Sequence, residues 1–185
     1  MRADARRNYD HVLEVARTVV AEQGADASLR DIARRADVGL ATLYRHFPTR
    51  EALLETLLQE SLTELIETAA ELKSAVSPDD ALAAWFRRGV AFVRRYNGVV
   101  DLMASAIANE DSALHASCVT LRSAGAGLLV RAQADGSARA DLDGNELFAL
   151  MGALGWVSDQ PSFASRTEHL VDVVADAIFR PFPVI

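Results

Sequence analysis

Residues 28–47 read Ser-Leu-Arg-Asp-Ile-Ala-Arg-Arg-Ala-Asp-Val-Gly-Leu-Ala-Thr-Leu-Tyr-Arg-His-Phe. Two short apolar-periodic segments flank Asp37-Val38-Gly39, the footprint of two helices joined by a tight turn, a helix-turn-helix. Ser28 stands where a helix cap belongs, and Asp31 three residues on makes an acidic variant of the capping box. Ile32, Ala33, Ala36 and Val38 are apolar where the two helices must meet. Leu43 and Phe47, four apart, turn one face of the second helix to the core. Thr42, Tyr44, Arg45 and His46 are left on its outward arc. Hydroxyls and cations are the groups that donate to phosphates and base edges.

Outward from this stretch, helical spacing continues in both directions. Upstream, Val12, Ala16 and Val19 line one face with Leu13 and Val20 beside it, and Gly24 follows as a C-terminal stop. Downstream, Pro48 ends the second short helix and Thr49 caps a long one. Its apolar stripe runs through Leu54, Leu58, Leu62, Leu65, Ala69 and Leu72. Ser77-Pro78-Asp79 opens a helix through Trp85, Phe86 and Phe92 to Tyr96, where Asn97-Gly98 breaks it. Further helices are expected over about 99–109, 112–134, 143–158 and 163–180, with turns at Asp135-Gly136-Ser137 and Pro161-Ser162. The chain is therefore all-α, with about nine helices. Residues 1–50 form a small helix-turn-helix module, and 51–185 a larger helical part.

Composition agrees with this division. The 185 residues are half hydrophobic, with only 10 Gly and 5 Pro, so the chain is ordered rather than a polar tail. Thirty-three alanines favour helix. A single cysteine, Cys118, makes no internal disulfide and suits a reducing cytoplasm. Neither a signal peptide nor an apolar run of about 18 residues is present, which argues against secretion and membrane spanning. The net charge of −7 is uneven: residues 1–50 carry +2 and residues 51–185 carry −9. Only the first segment suits a polyanionic partner.

The stretch Gly39-Leu-Ala-Thr-Leu-Tyr-Arg-His-Phe-Pro-Thr-Arg-Glu-Ala-Leu53, with Leu29-Arg-Asp-Ile-Ala33 upstream, carries a family resemblance. Residues 6–58 resemble the DNA-binding domain of the TetR/AcrR family of bacterial transcriptional regulators. The resemblance implies that Ser28 caps the second helix near a phosphate and that Arg30 reaches phosphate or a guanine edge. It places Gly39, Leu40 and Ala41 at the opening of the recognition helix, against bases. Thr42, Tyr44 and His46 would hold the DNA backbone, with Arg45 aiding readout and Arg50 touching phosphate from the fourth helix. Leu40 and Ala41 stand where relatives place polar residues, which limits direct readout to apolar contact with thymine methyls. Arg34 and Arg35 read as a solvated face, and Arg6 and Arg7 as either a frayed terminus or an arm on the backbone.

For the larger part the same resemblance implies a ligand pocket and a dimer interface. Candidate pocket walls are Trp85, Phe86 and Phe92 on one helix, Met103 and Ile107 on the next, Leu121, then Phe148, Met151 and Trp156, all apolar groups that equally suit an ordinary core. The last two helices, with Gly152-Ala153-Leu154-Gly155 allowing close approach, are expected to pair with their two-fold mates into a homodimer. His115 and Cys118 lie three apart but lack further ligands, so no metal is expected, and no cofactor-binding or catalytic pattern appears. The implied function is a ligand-responsive regulator, most simply a repressor released from a near-palindromic operator by a small molecule. An activator on the same fold and a carrier that keeps the head as scaffold are the rivals.

Overall fold

The computed structural model describes residues 2–74, 77–96 and 98–179. Among them are nine α-helices and no strand: α1 Arg2–Gln23, α2 Leu29–Arg35, α3 Leu40–His46, α4 Arg50–Leu72, α5 Pro78–Arg95, α6 Val99–Ala108, α7 His115–Ala134, α8 Gly144–Ser158 and α9 Thr167–Phe179. Local chemistry sets most of these ends. Gly24 and Gly98 take the left-handed conformation, with φ of 77° and 79°, where they stop α1 and open α6. Asn97, the other half of the expected break, lies outside the described residues. The Thr49 hydroxyl accepts from the Ala52 N–H and the Ser77 hydroxyl from the Asp80 N–H, each capping the helix it precedes. Asp143 and Glu146 close a full capping box on α8.

Two expected boundaries shift. Residues 112–114 are turn rather than the start of α7, with the Ser112 hydroxyl accepting from the Leu114 N–H. A short 3-10 turn at Ala164–Arg166 precedes α9, so that helix begins at Thr167. The expected capping box at Ser28 is also absent: Ser28 has the extended backbone of an N-cap but makes no side-chain cap bond. Asp31 is engaged elsewhere, because longer cationic and amide side chains outcompete a local N–H for its carboxylate.

α1–α3 form the head, and α5, α7, α8 and α9 pack around one another as the body. α4 joins them, touching α1 at one end and α5 and α7 further along. Its buried leucines, from Leu53 to Leu65, carry one continuous apolar core from head to body. Arg17 of α1 pairs with Glu60 of α4 on the surface of this junction.

Inside the body, glycines let helices approach where large residues are placed. Trp85 is fully buried, its indole N–H donating to the Leu65 carbonyl at 3.0 Å. Its ring lies over Gly125 of α7, where an added Cβ would sit 2.3 Å from the Trp85 Cη2. Gly125→Ala is therefore expected to push α7 off α5 and cost about 1–3 kcal/mol, read as a lowered denaturation midpoint. An unchanged midpoint would mean the packing relaxes freely.

Candidate functional site

The turn between α2 and α3 is a Schellman motif built without glycine. The Val38 N–H donates to the Ala33 carbonyl and the Asp37 N–H to the Arg34 carbonyl, at 3.0 and 3.3 Å. Asp37 holds the left-handed position, φ 53°, one of the few residue types that tolerate it. α3 then leaves from Gly39 and is fixed on its inner side by Leu43 and Phe47, both buried. Tyr9 of α1 stacks on the Phe47 ring at 5.3 Å and meets His46 edge-on at 5.6 Å. α3 is thus held from below by α1.

Its outer side carries Ala41, Tyr44, Arg45 and His46, all exposed. Tyr44 is 47 % exposed, and its hydroxyl makes no hydrogen bond among the described residues. Arg45 leans back on its own helix, donating to the Thr42 Oγ1 at 3.0 Å. Thr42 is half-buried, and Leu40 is half-buried against the core rather than fully presented outward. An added Cβ at Gly39 would meet only Thr42 Oγ1, at an ordinary 3.7 Å, so the fold itself leaves room for a side chain there.

The remaining head cations divide into committed and uncommitted. Arg34 and Arg35 both pair with Asp31, Arg35 also with Glu22, and Gln23 donates to the same Asp31 carboxylate. The Arg34 guanidinium and the Gln23 amide hold the Asp31 carboxyl below the usual carboxylate range. Arg30 is exposed and makes no pair among the described residues, and Ser28 is likewise exposed. Arg50, expected as a plain phosphate contact, is half-buried and tied to Asp26 at 2.9 Å and Glu51 at 3.6 Å.

In the body a cavity of about 220 Å³ lies between α5, α6, α7 and α8. Six expected residues line it: Phe92, Met103, Ile107, Leu121, Phe148 and Met151. Three do not. Trp85 and Phe86 are buried in the core, and Trp156 points to solvent at 57 % exposure. The walls that sequence reasoning missed are mainly small: Val93, Val100, Ala104, Ala149, Gly152 and Ala153. No lining side chain is polar or charged, and Ala104, Ala149 and Ala153 form an exposed rim. Gly155 serves an internal contact rather than an outer face, since a Cβ there would lie 2.0 Å from the Val93 Cγ1.

α6 separates this cavity from the head. Val100, Met103, Ala104 and Ile107 face the cavity, while Asp101, Leu102 and Ser105 line a polar groove shared with Gln23–Asp26, Arg50 and Glu51. Burial raises the Asp159 carboxyl at the edge of that groove, partly offset by the Gly98 N–H donated to it. Cys118 is fully buried, and desolvation pushes its thiol up to about 11, the setting of an inert cysteine. His115 Nδ1 sits 3.0 Å from the Ala106 carbonyl. Among the described residues no group of three or more metal-ligating side chains gathers, and no helix is long and apolar enough to cross a membrane.

Residues 12–57 match the model of the tetR family of bacterial regulatory proteins, and residues 77–178 that of the SbtR-like transcriptional regulator C-terminal domain. The chain belongs to the TetR family of transcriptional regulators. A solved TetR regulator from Streptomyces coelicolor, SCO0520, is 33 % identical with a TM-score of 0.66, covering 94 % of this chain and 99 % of its own. The HTH-type transcriptional repressor KstR2 of Mycolicibacterium smegmatis is 27 % identical over 80 % of this chain and 76 % of its own length. AibR, solved with isovaleryl coenzyme A and operator DNA, shares the fold at 19 % identity and a TM-score of 0.65, covering 95 % and 100 % of the two chains. As a TetR regulator the chain is a DNA-binding transcription factor, not an enzyme.

Proposed function

We propose that the chain is a ligand-released repressor that binds a near-palindromic operator as a homodimer. The observation that carries this reading is the outward side of α3, where Tyr44 and Arg45 stand exposed, together with the exposed and uncommitted Arg30 of α2. Ser28, Tyr44, His46 and Arg30 supply phosphate donors, and Gly39, Ala41 and Leu40 supply close or apolar approach to base edges. Gly39 needs no glycine for the fold, so the space beside it is read as room for DNA. Arg50 joins the phosphate contacts by exchanging Asp26 for a phosphate oxygen.

The head, residues 1–50, reads DNA, and residues 51–185 bind effector and dimerise. A second copy is supported by the exposed Trp156 of α8, Phe163 between the helices and Val173 of α9, large apolar groups concentrated on the last two helices. The apolar cavity suits a small effector with an apolar group, in keeping with the short acyl thioester named in the AibR structure. A ligand that seats only when α6 shifts biases the heads away from the operator spacing, because α6 abuts both cavity and head. Repression accords with the named activity of KstR2.

Selection of bound sequences from a random duplex pool, with purified protein at moderate salt, tests this directly. The expected result is one enriched two-fold palindrome whose half-sites lie a helical repeat or a multiple apart. Absence of any enriched sequence, with Arg30→Gln protein behaving like the unmodified chain, would sink it.

A further inference from the structure

α5 carries two arginine doublets one heptad apart, Arg87-Arg88 and Arg94-Arg95. Their first members both reach α9: Arg87 pairs with Asp172 at 3.2 Å, and Arg94 pairs with Glu168. Their second members do not. Arg88 and Arg95 are exposed and make no hydrogen bond or ion pair among the described residues. They line a cleft of about 310 Å³ between α5 and α4, facing Ser61, Glu64 and Thr68. In a part of the chain with a net charge of −9, this cleft sets two uncompensated guanidinium groups against one carboxylate.

Position makes the cleft more than a basic surface. Phe92 lies between the two arginines in sequence and walls both this cleft and the apolar cavity. Its ring rests edge-on at 5.5 Å against Tyr96, whose hydroxyl bonds Ser61 at the cleft. One side chain therefore belongs to the walls of both the apolar cavity and the cationic cleft. A helical phenylalanine has two accessible χ1 wells, which is the freedom a displacement of Phe92 would use. Arg88 and Arg95 stand two turns apart, about 10 Å along the axis, a span that two extended guanidinium side chains close upon one anion. Their forked donors match carboxylate and phosphate oxygens in a way a single ammonium does not.

We propose that the effector is an amphiphilic anion, with its apolar tail in the interior cavity and its carboxylate or phosphate held by Arg88 and Arg95 across a displaced Phe92. The proposal rests on the reading of the cavity as the effector site and adds the chemical class of the effector. Both arginines are exposed and unpartnered, so their replacement leaves the fold unchanged, which circular dichroism checks.

The experiment is calorimetric titration of the full chain with octanoate, octyl phosphate and 1-octanol, three probes sharing one tail. The unmodified protein is expected to bind at least one anion tenfold or more tighter than the alcohol, and the better anion identifies carboxylate or phosphate as the head group. R88Q/R95Q should bring that anion to the level of the alcohol, while R87Q, which breaks only the Asp172 pair, leaves the preference intact. Equal binding of alcohol and anions, or an R88Q/R95Q protein that keeps the preference, would overturn the anion site and leave the cavity reading standing. Failure of all three probes to bind would overturn both.

Discussion

Tyr44→Phe is expected to weaken binding to the selected operator by roughly 100-fold at moderate salt while leaving the denaturation midpoint where it was. The hydroxyl removed is exposed and bonds nothing within the described chain, so folding loses no contact with it. The ring stays, and α3 remains anchored through Leu43, Phe47 and the Tyr9 stack beneath. What disappears is one hydrogen bond to a charged oxygen in each head, about 1.5 kcal/mol apiece and about 3 kcal/mol for two heads on one operator. Arg30→Gln should behave differently in kind. It removes a cation, so the slope of log affinity against log salt should fall by about one per head, whereas Tyr44→Phe leaves that slope alone. Fluorescence anisotropy across a salt series separates the two. Wild-type affinity in Tyr44→Phe would remove Tyr44 from the backbone contacts.

The head was legible because its punctuation is local. Gly24, Asp37-Val38-Gly39 and Pro48-Thr49 each act on their own neighbours, and each lands at a helix end. Asp31 is harder to read: Arg34 and Arg35, three and four residues on, compete for its carboxylate at ordinary helical spacing, but Gln23 reaches it from α1, which spacing alone does not reveal. In the body, periodicity located every helix but could not tell a wall from a plug. A cavity exists where side chains are missing, so its residues include Ala104, Ala149 and Gly152, whose small size marks no wall in the sequence. Trp85, the largest candidate, fills space beside Gly125, and that pairing depends on how α5 meets α7. Apolar character alone puts Trp156 inside, yet it is one of the large side chains that the folded chain leaves exposed.

That misplacement supplies the other large effect. Trp156→Glu is expected to convert the proposed dimer to monomer and to reduce operator affinity by more than 100-fold, with an unchanged far-ultraviolet spectrum. At 57 % exposure the indole contributes little to the monomer's core, so the cost should fall on association. In a two-fold interface every substitution occurs twice. A tryptophan anchor worth about 2 kcal/mol per copy then accounts for roughly a thousandfold weaker dimerisation, before the repulsion of two facing carboxylates is counted. Operator binding follows because linked heads engage the second half-site at high effective concentration, an advantage a monomer lacks. Val130→Glu on α7 is the control, since Val130 is 62 % exposed but lies off the last two helices. Light scattering and operator titration of the two proteins should diverge sharply. A Trp156→Glu protein that remains dimeric and binds DNA as before would place the interface elsewhere, and with it the spacing of the heads.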